Sequence, residues 1–172
     1  MSKVKHYFFG TECIIDRQLT DYSNLETNLK NLNFKLQNPP LFLNQIHSNK
    51  VIIIDNINRV YQPHNKPQAD ALVTNLKNIA LCIITADCVP VLLHDSQKQI
   101  IAAIHAGWKG AKSGIVNNTI DSMLKMGSKA EDIICYIGPC IRQKSYEVDN
   151  IFYQDFKKED KDNQKFFILS TK

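Results

Sequence analysis

Residues 83–110, IITADCVPVLLHDSQKQIIAAIHAGWKG, decide how the rest of the chain is read. Cys88 stands just past one apolar run, residues 79–85, and His105 lies near the end of another, residues 100–106. Between them runs an intervening strand, residues 89–94, joined to the second run by the turn Asp95-Ser96-Gln97-Lys98. The runs are nearly continuous in apolar residues, which predicts strands covered on both faces. A thiolate and an imidazole on neighbouring strand ends can serve as metal ligands or as a nucleophile and its base.

Working outward, the β-branched run 51–54 and residues 69–74 read as strands, as do 41–47 and the short 7–9. Ser23 and Glu26 fit a capping box, and Leu25, Leu29 and Leu32 follow at helical spacing, so a helix is expected over 24–33. The polar segment 56–68, with Pro63 and Pro67, reads as a surface loop. Downstream, Gly107-Trp108-Lys109-Gly110 is a tight turn with backbone freedom at both glycines. Ile115, Val116, Thr119, Ile120, Met123 and Leu124 make an amphipathic helix that stops at Gly127. Residues 133–137 form a strand, Gly138-Pro139-Cys140 turns out of it, 150–158 are helical, and 165–169 end as a strand or a frayed tail. The expectation is a single domain over residues 1–172 of α/β (α+β) class, with a mixed, strand-rich core flanked by helices.

Composition narrows the function. The chain has 172 residues, 44% hydrophobic and 22% charged, the ordinary range for a globular domain with a sizeable core. The formal net charge is only +4, and no basic run is interleaved with aromatics, so a nucleic-acid partner is not expected. No apolar run approaches the length of about 20 residues needed to span a bilayer. The start is too short in apolar residues for a secretory signal, so a cytoplasmic protein with no membrane partner is expected. Cysteines 13, 82, 88, 135 and 140 are odd in number and form no zinc-finger spacing, which argues against a disulfide framework. Cys82 and Cys135, inside apolar runs, read as small buried hydrophobes.

Cys88 alone reads most simply as inert core, and its place outside its apolar run, beside Asp87, argues toward a site. Asp87 fits a turn residue, an orienting carboxylate or an acid/base. His105 fits a satisfied core histidine or a ligand that the adjoining glycines allow other groups to approach. His47, beside Gln45 and Ser48, is the third candidate. Two imidazoles and one thiolate with a water in the fourth position would make an open tetrahedral zinc site, although ligands so far apart in sequence do not establish it by spacing. His64 and His94 read as loop and turn residues. Trp108, the single tryptophan, could stack a planar base or cap the core, and Lys109 could hold a phosphate.

Five segments in this order resemble the YfiH / laccase-domain family: Gln45-Ile46-His47-Ser48, Ala69-Asp70-Ala71-Leu72-Val73-Thr74, Thr85-Ala86-Asp87-Cys88-Val89-Pro90-Val91, His105-Ala106-Gly107-Trp108-Lys109-Gly110, and Ile137-Gly138-Pro139-Cys140-Ile141 followed by Tyr146-Glu147-Val148. That family was long labelled polyphenol oxidase and is now regarded as purine nucleoside phosphorylases. The resemblance implies layered sheets with flanking helices and a zinc ion held by His47, Cys88 and His105, with copper as the alternative ion. It implies phosphorolysis of adenosine, inosine and methylthioadenosine, and deamination of adenosine. Asp87 would join the three ligands as a catalytic group, and Gln45, Trp108 and Lys109 would contact the nucleoside or phosphate. The family's arginine- and glycine-rich turn has no counterpart in Gly10-Thr11-Glu12-Cys13-Ile14-Ile15. Less chain follows Tyr146-Glu147-Val148 than the family carries, so a shortened member is expected, with apolar edges that favour self-association. Two rivals stand beside this reading. One is a remnant that keeps the fold without catalysis or binds a partner. The other is a metal-free hydrolase with Cys88 as nucleophile and His105 or His47 as base.

Overall fold

Among the described residues, β-branched and small apolar side chains build five strands: β1 (Val51–Ile54), β2 (Ala71–Thr74), β3 (Val89–Asp95), β4 (Ile100–Ala106) and β5 (Ile133–Ile137). The computed structural model describes residues 4–10, 23–32, 38–56 and 66–169. The strands form one sheet in the order β1-β2-β4-β3-β5. β1 and β2 are parallel, and the other three pairings are antiparallel. β2 and β3 both oppose β4, so β1, β2 and β3 run the same way. Their starting ends and the finishing end of β4 therefore share one end of the sheet.

The β3–β4 hairpin is in register from Val89 opposite Ala106 to Asp95 opposite Ile100. At its closed end Asp95 accepts the backbone N–H groups of Gln97 at 2.8 Å and Lys98 at 2.9 Å, which shapes the turn. Gln99 completes it with a φ of 56°.

Helix α3 (Ile115–Lys125) covers one face of the sheet, burying Ile115 and Met123 against Val73, Val91, Leu93, Ala102 and Ile104. Gly127, at φ 100°, ends it in the left-handed conformation that glycine adopts without strain. The other face is covered by irregular chain: Leu41, Leu43 and Ile79 pack on Leu72, Ile54 and Ala69. Phe42 packs there with Leu25 and Leu29 of α1 (Ser23–Asn31). The central strands are thus covered on both faces, as their continuous apolar runs require; every residue of β2 is buried.

Several expected strands take another form. Residues 41–47 and 79–85 pair only at isolated bridges, Leu41 to Leu81 and Asn44 to Gln68. They lie over the sheet rather than within it, so their apolar side chains are spent on packing and not on a ladder. Residues 7–9 form no strand, and strand β2 begins at Ala71. The turn after Gly107 is the short helix α2 (Trp108–Lys112). Cys135 is exposed rather than buried, because β5 is an edge strand whose Ile134 and Ile137 are also exposed. His94 lies within β3, stacked with Tyr136 at 5.9 Å between ring centroids, and not in a turn. The capping box at Ser23 and Glu26 rests on side chains outside the described residues, as do Cys13, His64 and residues 10–15 apart from Gly10.

Contacts divide the chain into two compact units, residues 1–139 and 140–172. The second contains α4 (Asn150–Glu159), capped by Asp149, whose Oδ1 accepts the Phe152 N–H at 2.7 Å. A 3-10 helix, Lys161–Phe166, runs into the expected tail, and residues 167–169 after it form no strand. Phe152 stacks with Phe156 at 4.7 Å, and Phe167 meets both rings edge-on.

Candidate metal centre

The shared end of the sheet gathers the three sequence candidates. His47 precedes β1, Cys88 immediately precedes β3, and His105 is the penultimate residue of β4, opposite Pro90. Their ligand atoms all lie within 4.8 Å of one another, and among the described residues they form a cluster that could hold a metal ion. Cys88 Sγ is 3.7 Å from His47 Nε2. The His47 and His105 rings meet edge-on at 4.7 Å and 82°. His105 is buried and Cys88 half-buried, with His47 on the solvent side.

Backbone features make room for this approach. A Cβ on Gly107 would stand 2.5 Å from His47 Cδ2 and 3.1 Å from Cys88 Sγ, so any side chain there would push the His47 ring aside. A Cβ on Gly110 would meet the Ser48 carbonyl oxygen at 2.8 Å. The two glycines around Trp108 and Lys109 therefore seat the start of α2 against the His47 turn. His47 has a φ of 59°, the left-handed region that a non-glycine residue enters only when its surroundings hold it there.

The group that holds it is Asp70. This carboxylate is 0% exposed. It accepts the N–H groups of His47 at 2.9 Å and Ser48 at 2.6 Å, the Ser48 hydroxyl at 2.7 Å, and the ring Nδ1–H of His105 at 2.8 Å. Burial alone pushes the Asp70 carboxyl up, but the bonds from His105, Ser48 and His47 together outweigh burial and hold it below the ordinary carboxylate value. The sequence reading gave Asp70 no role. Its signal was a lone acid in an otherwise apolar run, Ala69-Asp70-Ala71-Leu72-Val73, since such a residue is buried only with partners.

The remaining candidates are placed differently. Gln45 uses both ends of its amide on one residue: Nε2 donates to the Ile84 carbonyl at 2.7 Å and Oε1 accepts the Ile84 N–H at 2.8 Å. It clips the chain leading to Cys88 onto the chain leading to His47. Asp87 is exposed in the bend before β3 and is not among the clustered ligand atoms. Trp108 is exposed at the start of α2, with Lys109 Nζ 5.5 Å from its ring centroid. A cavity of about 660 Å³ lies elsewhere in the unit, lined by Phe8, Phe42, Cys82, Leu92, His94 and Tyr136 among others, and none of the three clustered residues lines it.

The donor set suits a metal. Two imidazoles and a thiolate match zinc or copper in softness and leave a coordination position open. His105 Nδ1 is already bonded to a carboxylate, the partner a metal-binding imidazole ordinarily has on its far nitrogen.

Comparison with known proteins places the chain. The chain is 42% identical over 132 residues to a purine nucleoside phosphorylase of Rickettsia prowazekii, a match covering 77% of this chain and 52% of that protein. It is 38% identical over 118 residues to an adenosine deaminase from an unknown prokaryotic organism, covering 66% of this chain and 45% of that protein. The chain spans about half the length of these relatives. The crystal structure of the Bacillus licheniformis hypothetical protein YfiH superposes with a TM-score of 0.69 at 27% identity, covering 87% of this chain and 57% of that one. A family profile described as multi-copper polyphenol oxidoreductase laccase matches residues 15–172. With the profile spanning nearly the whole sequence and the fold shared, the chain belongs to this YfiH-like, laccase-type family.

Proposed function

We propose that the protein is a zinc-dependent purine nucleoside phosphorylase, acting on adenosine, inosine and methylthioadenosine, with adenosine deamination as a second activity. The observation that carries this reading is the convergence of His47, Cys88 and His105 within 4.8 Å at one end of the sheet. The names of the relatives supply the reaction class. The setting is the cytoplasm; among the described residues no helix is long and apolar enough to cross a membrane.

In phosphorolysis a phosphate oxygen bonds to the sugar's anomeric carbon, the bond from that carbon to the purine nitrogen breaks, and the base takes its electron pair and a proton. Zinc bound there would supply Lewis acidity and, for deamination, would lower the pKa of water toward about 7. His47, Cys88 and His105 would hold that ion. Trp108, exposed beside the cluster, offers a face on which a purine stacks. Lys109 extends from the same short helix with a charge for phosphate. Asp87, exposed beside Cys88, is the candidate to receive or deliver the proton. Gln45 acts on substrate indirectly, through the segment it clips at Ile84.

One observation favours a second reading. The 3.7 Å approach of Cys88 Sγ to His47 Nε2 is also the pairing of a thiol nucleophile and its base, without metal. Incubation with adenosine or inosine, with and without phosphate and chelator, separates the two. Phosphate-dependent release of adenine or hypoxanthine, abolished by chelator and by His105→Ala, is expected. Absence of product from folded, zinc-loaded protein rejects the phosphorylase. Chelator-insensitive activity blocked by alkylation of Cys88 selects the hydrolase.

A further inference from the structure

We infer that Asp70 is a positioning residue that presets two of the three ligands, His47 and His105, before any metal arrives. The inference rests on the reading of the cluster as a metal centre and deepens it. Asp70 ends the stretch that leads into β2, between the His47 turn and the last residues of β4. Its main chain is fixed there from both sides: its N–H donates to the Lys50 carbonyl at 3.0 Å, and its carbonyl accepts the His105 N–H at 2.8 Å.

From that fixed point one carboxylate controls two different properties. The first is the tautomer of His105. An ionised carboxylate only accepts, so the ring proton sits on Nδ1 and the Nε2 lone pair is left for a metal. The second is the backbone of the His47 turn. Oδ1 accepts the His47 N–H, while Oδ2 accepts both the Ser48 N–H and the Ser48 hydroxyl. These bonds hold His47 in its left-handed conformation, which aims Nε2 toward Cys88 Sγ. Because Oδ1 is shared by the His47 amide and the His105 ring, the two ligands are coupled through a single atom.

An asparagine cannot reproduce this. With its oxygen toward His105, its NH₂ confronts the Ser48 N–H; turned over, the NH₂ confronts His47 N–H and the ring Nδ1–H. Ser48→Ala is milder, since it removes the hydroxyl donor and leaves the carboxylate on both histidines.

The test combines two measurements on the full chain. Nitrogen NMR of the metal-free parent reads the His105 tautomer, and cobalt(II) titration reads affinity and ligand-field spectrum for the parent, Asp70→Asn and Ser48→Ala. The expected results are a proton on Nδ1 of His105 and a 10- to 100-fold weaker cobalt affinity in folded Asp70→Asn, on the order of changes seen on losing such partners. Ser48→Ala should lose several-fold with its tautomer unchanged. A parent with the proton on Nε2 overturns the inference. So does folded Asp70→Asn that melts earlier yet keeps parental affinity and spectrum, which is what a purely structural aspartate would give. Should Asp70→Asn not fold, parental cobalt affinity in Ser48→Ala overturns it. A parent that takes up neither cobalt nor zinc rejects the metal reading instead, and the tautomer then decides whether Asp70 presets the ring.

Discussion

Two buried aspartates stand at opposite ends of the sheet and do related work with different consequences. Asp95, at the closed end of the β3–β4 hairpin, and Asp70, at the open end, are both 0% exposed. Each accepts consecutive backbone N–H groups: two, from Gln97 and Lys98, in one case and three, from Ile46, His47 and Ser48, in the other. Each carboxyl is held below its ordinary value against the opposing effect of burial. What separates them is the second oxygen. Among the described residues Asp95 Oδ2 and the Ser128 hydroxyl have no hydrogen bond within ordinary limits, and Ser128 nonetheless helps to lower the Asp95 pKa. Asp70 Oδ2 accepts the Ser48 N–H and hydroxyl, and Oδ1 takes the His105 ring beside the His47 N–H. The same device thus shapes a turn at one end and, where an imidazole is added, sets up a candidate metal centre at the other.

The largest effect that would test this contrast is on stability. Asp95→Ala removes two charge-assisted bonds to the turn and should cost about 3 kcal/mol in denaturant unfolding, while zinc affinity of the folded protein stays at the parental value. Weakened zinc binding in that variant would break the separation of the two ends. Gly107→Ala should cost less, about 2 kcal/mol, because its Cβ overpacks the His47 ring and the Cys88 sulfur. Here zinc affinity should fall as well; an alanine variant with parental affinity would show that the ligand end is looser than its geometry.

The smallest effect is in pH. The folded Asp95 carboxyl has a lower pKa than the ordinary 3.8 of the unfolded chain. The folded state therefore binds this proton less readily, and the contribution is fully present above 3.8 and lost as pH falls below it through the folded value. Asp95→Asn should flatten that part of the stability profile, measured by thermal melts across acid pH. An unchanged slope would mean that other carboxylates carry the acid sensitivity.

Much of the frame was legible in the sequence. Strand β4 and strand β5 match their apolar runs residue for residue, and α3 follows its periodic pattern, because in each case one element's own side chains decide the outcome. Residues 41–47 and 79–85 were misread as strands for a physical reason. An apolar run is needed equally by a strand and by irregular chain laid over a sheet, and only the cover of β1 and β2 tells which. Cys135 erred in the same direction, since apolar composition does not reveal that β5 lies at an edge.

The site divides along the same line. By itself the sequence determined the donor types: one thiol past a strand, one imidazole near another's end, a third beside Gln45, and glycines where backbones must approach. It also put a solitary acid inside an apolar run, which demanded partners. Only the tertiary structure decided who those partners are. The parallel pairing of β1 with β2 and the antiparallel β4 bring residues 47, 70, 88 and 105 to one end, from positions up to 58 apart. It was the register of β2 with β4 that put Asp70, rather than Asp87 beside Cys88, against His105. Hydrogen bonds reach about 3 Å regardless of separation along the chain, so the orienting carboxylate is chosen by sheet register and not by proximity in sequence.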